Sequence, residues 1–495
     1  MQQKIRLIPK NYSWLADTTL LLLILGGLFF IFIGHRPLFV PDEGRYAEIA
    51  REMAISKDYV TPYLNGIQYF EKPVLFYWLG SFAIQLGGPT LWAIRSINAC
   101  LGLIGILLTY FTARKLYDRT TGLLSAFILG TSILYFVMTQ MVSLDLGVTV
   151  FIAASLYAFL LGLKQSSHLK QKNYLWGAAV TAALAVLTKG LIGILFPLMI
   201  IVTFIAMVGE WRIIKRLPIL SSFSIFLLIA APWHIVAQLH HPEFFHFYFI
   251  MQHLERYTSI GIGHYQPVWF FIPILCIGFF PWILFLPQTI LMHWPQSFKT
   301  RKEYHVEIFF LLWILLIIAF FSFSKSKLIP YILPVFPPLS ILTGHYLSKK
   351  IRSSFALSAI VMTTCLSLVI LFPRFSMLDT RTIRPLANRL IPILQPQDEI
   401  ITYNRYYQDL PFYLKRRVSV LNWHGELDFG MQHQNTKEWM INYSIFWQRM
   451  RSHARVFIIM STEDYALFKK RYAKETFYLW EQTTKNVLLS NHAPT

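Results

Sequence analysis

Two aspartates stand where a carboxylate is conspicuous. Asp42 opens the charged run DEGRYAEIAREM (42–53), and Asp145 lies in VSLDLG at the mouth of a long apolar stretch. A carboxylate so placed can serve as a general base or stabilise a developing positive centre. Each also has a bland role available, because aspartate is a preferred helix N-cap. Spacing alone does not separate the two roles for Asp42. Two carboxylates bordering membrane helices carry the catalytic reading further together than singly. Glu48, Arg51 and Glu52 read as a solvated helix face with ion pairs at helical spacing.

Cations follow along the chain. Lys72 precedes Pro73 in FEKPVLFYW, and Lys189 separates two apolar runs in LTKGLIG. His253, Arg256 and Tyr257 fall within 239–266, and SKSKLIPYILPVFPP supplies Lys325, Lys327 and Tyr331. A lysine at a lipid headgroup boundary either snorkels or holds a phosphate as a compact point charge. An ionisable residue between apolar runs is a functional candidate because its burial is costly. Glu71 and His253 offer the carboxylate and imidazole that suit zinc. They lie on distant segments, and histidine is often only a polar interface residue.

The elements that must position these residues are membrane helices. The chain has 495 residues, 55% hydrophobic and 14% charged. A soluble chain of this size carries about 25% charged residues. The three cysteines, Cys100, Cys276 and Cys365, lie in apolar runs and suggest neither a disulfide framework nor a cysteine metal site. Spanning stretches are expected at 18–34, 90–113, 122–139, 146–163, 174–188, 190–209, 217–238, 268–292, 307–324, 328–347 and 355–372. The stretch 74–87 is short and aromatic, which fits an interfacial or re-entrant helix. The first apolar run has basic residues before it but no small-residue cleavage site after it, so it reads as a signal-anchor.

Charge orients these stretches. The net charge of +20 would suggest nucleic acid on a soluble chain, but membrane proteins collect Lys and Arg in cytoplasmic loops. With about eleven crossings and an inside N-terminus, the inside segments carry Lys4/Arg6/Lys10, Arg114/Lys115/Arg119, Lys164/Lys170/Lys172, Arg212/Lys215/Arg216, Lys299/Arg301/Lys302 and Lys349/Lys350/Arg352. Making 74–87 a crossing would put Arg114, Lys115 and Arg119 outside. The outside segments are then 35–89, 140–145, the region of Lys189, 239–266, 325–327 and everything after 373. Lys72, Lys189, Arg256, Lys325 and Lys327 fall on the side where the positive-inside rule does not account for them. A membrane-embedded phosphate does. After 373 the chain turns polar, with strand-like runs at 400–403, 418–423 and 456–460 and a helix at 465–472. This alternation predicts a small α/β domain at 374–495, following a membrane domain at 1–373 that carries the loop 35–89.

The motifs DEGRYAEIAREM, FEKPVLFYW, SLDLG, LTKGLIGILFP and SKSKLIPYILPVFPPL, in this order, resemble those of the bacterial aminoarabinose lipid A transferase family. That family belongs to the GT-C class and is related to protein O-mannosyltransferases. The similarity runs through 13–350, and the tail agrees in kind. The resemblance implies an all-α polytopic GT-C membrane protein of about 11–13 spans with a periplasmic α/β tail. It implies a sugar donor linked to undecaprenyl phosphate and lipid A as acceptor, on the periplasmic side of an inner membrane. It further implies that Asp42 and Asp145 are the important acids, and that Lys72, Lys189, Arg256 and Tyr331 hold the donor phosphate. The family often has two prolines after the lysine, where this chain has Pro73-Val74.

The expected chemistry is displacement at an anomeric carbon. Fixed cations stabilise the departing alkyl phosphate, so no metal is required, although a divalent ion such as zinc remains an option. A carboxylate beside the sugar stabilises oxocarbenium character. Asp42 serves as base if the acceptor is a hydroxyl, and orients the sugar, through a sugar amine for instance, if the acceptor is already a phosphate anion. No nucleophile is evident, which favours one inverting step. A monomer in contact with membrane lipids, with no nucleic-acid partner, is expected. The rivals are a protein O-mannosyltransferase-like enzyme, a transferase of another amino sugar, and a lipid-linked sugar transporter or flippase. Transporters tend to show internal repeats and midplane polar sites, and neither is visible here.

The charge-based topology is testable in spheroplasts. Single cysteines replacing Lys170 or Lys302 are expected to resist a membrane-impermeant thiol reagent, and one replacing Gln397 to react. Labelling of the first two, or protection of the third, contradicts the orientation.

Overall fold

A computed structural model of the chain describes residues 13–255, 265–295, 303–351, 353–376, 382–423 and 425–494. Arg256, Tyr257 and the basic residues Lys4, Arg6, Lys10, Lys299, Arg301, Lys302 and Arg352 lie outside them. The chain divides into two compact units: Met1–Ile33, Glu71–Phe76 and Arg95–Pro373 form one; Gly34–Phe70, Tyr77–Ile94 and Arg374–Thr495 form the other.

The first unit is helical. Every expected spanning stretch contains helix, but among the described residues five helices are both long and apolar enough to cross a membrane. They are Ser13–Phe30, Leu91–Leu116, Leu144–Leu163, Ile219–His240 and His305–Phe323, and the number rises to seven if each bent pair is one span. The expected count of about eleven therefore exceeds what length and composition alone support. The reasons are local. Residues 122–139 break at Ser132 into Arg119–Thr131 and Ile133–Thr139, bent by 68°. Residues 268–292 break near Pro281 into Val268–Gly278 and Trp282–His293, bent by 105°. His168–Lys189 carries charge at both ends, and Ile192–Val208 has only 17 residues. Leu23, Leu228 and Leu291 leave more than two-thirds of their surface uncovered, as lipid-facing positions do.

The second unit gathers the first loop and the tail. Its loop helix, Asp42–Ser56, is followed by a hairpin of β1 (Tyr63–Leu64) and β2 (Ile67–Gln68). The turn residues Asn65 and Gly66 both take positive φ, which is what a two-residue Asn-Gly hairpin requires. Asn65 also exchanges two hydrogen bonds of 3.0 Å with the backbone of Val418. The aromatic stretch after Lys72 forms the 13-residue helix Leu75–Gly87, with Phe82 and Leu86 exposed.

The tail folds around a six-stranded sheet: β3 (Glu399–Tyr403), β4 (Ser419–Leu421), β5 (Met440–Ile441), β6 (Val456–Ser461), β7 (Tyr478–Gln482) and β8 (Asn486–Ser490), in the order β5-β4-β3-β6-β8-β7. The pairs β5–β4, β4–β3 and β3–β6 are parallel, and β8 runs antiparallel to β6 and β7. The α/β expectation for the tail therefore holds. Neither β5 nor the closing hairpin β7–β8 is among the expected strands. Central β6 reads VFIIMS and is buried along five of its six residues, the continuous apolar pattern of a strand covered on both faces.

The loop helix packs backbone to backbone with the tail at Gly44. A Cβ there would lie 2.6 Å from the Asp409 nitrogen and 2.8 Å from the Gln408 carbonyl carbon. This close approach gives a physical reason for glycine within DEGRY. Gly44→Ala is expected to destabilise the protein by about 1–3 kcal/mol through overpacking. Thermal unfolding in detergent measures it, and an unchanged midpoint contradicts the packing.

Candidate active site

The first unit brings three of the singled-out side chains together. Asp145 stands in the first turn of Leu144–Leu163, where the helix dipole favours an anion. It is not the N-cap. Ser143 holds that place: its Oγ accepts the Asp145 N–H at 3.1 Å and donates to Asp145 Oδ2 at 3.1 Å. The capping alternative for Asp145 is thereby removed, and its carboxylate turns to Lys189. That lysine ends His168–Lys189, where the dipole favours a cation, and its Nζ pairs with Asp145 Oδ1. The two side chains are only 12% and 15% exposed. Lys189 Nζ also lies 4.7 Å from the centroid of the Tyr331 ring, in cation–π contact.

Buried amides hold this arrangement. Asn98 donates through Nδ2 to the carbonyls of Met141 at 2.6 Å and Ser143 at 2.9 Å, and Gln140 donates to the Phe29 carbonyl at 2.7 Å. Both residues are at most 1% exposed, so the segment leading into Asp145 is fixed from within. After Lys189 the chain turns at Gly190, with φ +97°. A Cβ there would meet His253 Nε2 at 2.2 Å and Tyr248 Oη at 2.7 Å. His253 donates from Nδ1 to the Tyr248 carbonyl at 2.6 Å, and its Nε2 receives the Leu191 N–H at 3.4 Å. Beside this turn lies a cleft of about 450 Å3 lined by Leu191, Ile194, Phe226, His234, Phe244 and Phe249.

The other cations are placed differently. Lys327 is 3% exposed, and its Nζ donates to the carbonyls of Ser324 at 2.5 Å and Gln266 at 2.8 Å. Burial and then Lys325 lower its pKa. It ties the segments at 265–266 and 324–327 together, whereas Lys325 is exposed. Lys72 is half-buried and donates to the Glu71 carbonyl at 2.9 Å. Among the described residues, no group of three or more His, Cys, Asp or Glu is placed to hold a metal ion.

The second unit holds Asp42. It is the first residue of Asp42–Ser56, with no side-chain capping bond at that terminus, so the capping role considered for it is not the one it plays. The neighbouring Glu43 performs a related service: its Oε2 accepts the Phe39 N–H at 2.8 Å and an Arg36 N–H at 2.5 Å. The Asp42 side chain stays about half exposed, 3.3 Å from Arg45, whose other nitrogen pairs with Glu426. One turn further on, Glu48 is fully buried, and its two oxygens accept from Arg51 at 2.6 and 2.7 Å. Arg51 is 5% exposed and also reaches the Lys415 carbonyl, while Glu52 is half-buried and accepts the Gly66 N–H. This corrects the expectation of a solvated face. The loop helix is wrapped by the tail within one unit, which helical spacing cannot reveal.

The chain matches the dolichyl-phosphate-mannose-protein mannosyltransferase family model over residues 36–248 and the aminoarabinose transferase C-terminal domain model over 386–487. Among similar proteins is undecaprenyl phosphate-alpha-4-amino-4-deoxy-L-arabinose arabinosyl transferase 1 of Proteus mirabilis, 34% identical over 345 residues, covering 69% of this chain and 60% of that protein. The corresponding transferase of Aeromonas salmonicida is 35% identical over 315 residues, covering 63% of this chain and 56% of the relative. The chain thus spans less than two-thirds of the length of these relatives. Its fold resembles the crystal structure of ArnT from Cupriavidus metallidurans bound to undecaprenyl phosphate, with a TM-score of 0.83, 23% identity, and coverage of 97% and 98% of the two chains. It resembles more distantly the oligosaccharyltransferase AglB of Archaeoglobus fulgidus, with a TM-score of 0.56, 14% identity, and coverage of 92% and 70%.

The apolar helices mark a multi-pass membrane protein, and the mannosyltransferase family model over 36–248 makes it one of GT-C type. Within that class, the chain is similar to the aminoarabinose transferases, through the C-terminal domain model over 386–487 and relatives 34–35% identical to it.

The buried carboxylates make the second unit sensitive to pH. Burial, with Glu48 beside it, raises the Glu52 pKa well above the usual carboxylate range, and burial raises that of Glu48. A carboxyl group whose pKa is raised on folding stabilises fully below its unfolded value, and the contribution is lost as pH rises through the folded value. Thermal stability is therefore expected to fall as pH rises above the ordinary glutamate range, and Glu52→Gln to flatten that slope. A Glu52→Gln profile parallel to the unaltered protein's contradicts this.

Proposed function

We propose that the chain is a glycosyltransferase that moves an amino sugar, 4-amino-4-deoxy-L-arabinose or a close analogue, from undecaprenyl phosphate to lipid A. The transfer takes place on the periplasmic face of a bacterial inner membrane, with the tail periplasmic and the chain working as a monomer. The observation that carries this reading is the Asp145–Lys189 pair at two membrane-helix ends, beside an apolar cleft of about 450 Å3. A lipid phosphate needs a cation at headgroup depth and an apolar surface for its chain. The names of the relatives carry the donor and the sugar, and one similar structure was captured with undecaprenyl phosphate. Lipid A as acceptor rests on the motif resemblance.

In the proposed reaction, the bond between the anomeric carbon and the phosphate oxygen breaks, and the phosphate leaves with the electron pair. The acceptor oxygen attacks the opposite face of the sugar and inverts it. Lys72, Lys189 and Arg256 stabilise the leaving phosphate as preorganised charges, with Tyr331 beside Lys189. Lys327 belongs to this group only as the buried tie that shapes the outer segment. Asp42, half exposed, orients the sugar or takes a proton from a hydroxyl acceptor. Asp145 holds Lys189 in place and faces developing positive charge. No metal is required: a chelator is expected to leave transfer unchanged, and loss restored by zinc would instead assign Glu71 and His253 as ligands.

The family match over 36–248 favours one second reading, a protein O-mannosyltransferase-like enzyme. Mass spectrometry of lipid A from cells with and without the gene separates the two. A mass increment of one amino pentose on lipid A is expected, and its absence together with sugar on protein favours the second.

Variants test the residue roles. Asp42→Asn is expected to abolish transfer without loss of membrane insertion, and Asp145→Asn to impair it. Lys72→Ala and Arg256→Ala each remove a charge from a phosphate, a loss of about 2–5 kcal/mol. Arg256→Lys is expected to recover part of that, since a point charge replaces a bidentate fork. Lys170→Ala is the neutral control. Donor binding and transfer rate in nanodiscs measure these effects. Unchanged values in folded Lys72→Ala and Arg256→Ala proteins contradict the phosphate assignment.

A further inference from the structure

The membrane unit carries a second cleft that the proposed transfer does not use. It measures about 570 Å3, with walls from the helices Leu91–Leu116 and Leu144–Leu163. Leu108, Phe111, Tyr157 and Leu161 give it an apolar lining, and Arg114, Lys115 and Tyr174 line it as well. Seven residues separate Leu108 from Lys115, so the apolar lining extends roughly 10 Å along the helix from the cations. That is the depth of a glycerol backbone and the first methylenes of an acyl chain. By the charge pattern of the loops, Arg114 and Lys115 mark the cytoplasmic end.

The charges there do not cancel. Asp17 is 2% exposed and takes both Arg114 at 2.9 Å and Arg119 at 2.5 Å. Asp118 is committed elsewhere: it accepts the Thr121 N–H at 2.8 Å as an N-cap and lies 3.5 Å from Lys349. Lys115 meets no carboxylate among the described residues. Its Nζ lies 4.9 Å from the Tyr174 ring centroid and donates to the Tyr174 hydroxyl oxygen, which leaves that hydroxyl's proton for another acceptor. The positive-inside rule explains cations near a membrane surface, but it does not call for an apolar cleft lined by them.

We propose that this cleft is a binding site for an anionic phospholipid of the inner leaflet. The acyl and glycerol portion lies against Leu108, Phe111, Tyr157 and Leu161. The phosphate is held by the Lys115 ammonium and the Tyr174 hydroxyl, within the field of Arg114. Anionic headgroups collect at basic pockets between membrane helices on this side, and each nearby cation strengthens binding about fivefold.

The test is lipid binding by the intact protein. The purified, delipidated protein is titrated with phosphatidylglycerol or phosphatidylethanolamine, and bound lipids are counted by native mass spectrometry. One phosphatidylglycerol is expected to bind, with a preference of about fivefold or more over phosphatidylethanolamine. Lys115→Ala is expected to lose that preference. Ala158→Phe, which fills the cleft without changing charge, is expected to lose the lipid itself. Lys172→Ala, outside the cleft lining, is expected to keep both. Equal affinity for the two lipids in the unaltered protein overturns the proposal, as does retained preference in Lys115→Ala and Ala158→Phe proteins that melt normally. The proposal rests on the cleft, its cations and the membrane orientation and not on sugar transfer, so loss of transfer in any other variant does not bear on it.

Discussion

Charge that is withdrawn from water must be answered by charge, and the Asp145–Lys189 pair meets this constraint at the candidate site. Each side chain is largely buried at the end of a helix of the first unit. Removing either partner strands the other in a low-dielectric site, which commonly costs about 3–5 kcal/mol. The surroundings answer this demand from several directions. Helix dipoles place the anion at an N-terminus and the cation at a C-terminus. Ser143 takes over the capping role, Asn98 fixes the incoming backbone, and Gly190 lets the chain turn tightly against His253 and Tyr248. An ammonium held this way is preorganised, so a phosphate meeting it requires little rearrangement.

The second unit obeys the same constraint with different parts. Glu43 is answered by Arg36, Glu48 by Arg51, and Arg45 by both Asp42 and Glu426. Asp42 is the least enclosed of these carboxylates, at 49% side-chain exposure, and so the one most open to a substrate. Its neighbours fix the helix around this half-exposed acid at its first position. The charges beneath it are paired with one another, which leaves Asp42 to the proposed mechanism.

Much of this was legible in the sequence, and the reasons for the rest are physical. Apolar runs give the membrane part because it follows from transfer free energies that depend on local composition. The tail's β3, β4 and β6 were visible as short apolar runs, and the motifs singled out Asp145, Lys189 and Tyr331, which the fold brings together. Three features were not visible. The burial of Glu48 and Arg51 depends on tail residues more than 350 positions away, such as Lys415. The bends at Ser132 and near Pro281 split stretches whose hydropathy is continuous. Asp145 leaves its cap to Ser143 and Asp42 makes no capping bond, because spacing identifies a capable side chain but not whether it is used. Asn98 carried a weak signal: a lone amide inside an apolar run is either a satisfied core residue or a brace for a site.

The most direct test of this account separates transfer from transport. The protein is reconstituted in liposomes with undecaprenyl phosphate carrying a labelled amino sugar, together with lipid A. The account predicts that label moves to lipid A while undecaprenyl phosphate is released one for one. Label that remains on intact undecaprenyl phosphate and only changes bilayer leaflet would identify a transporter and contradict it.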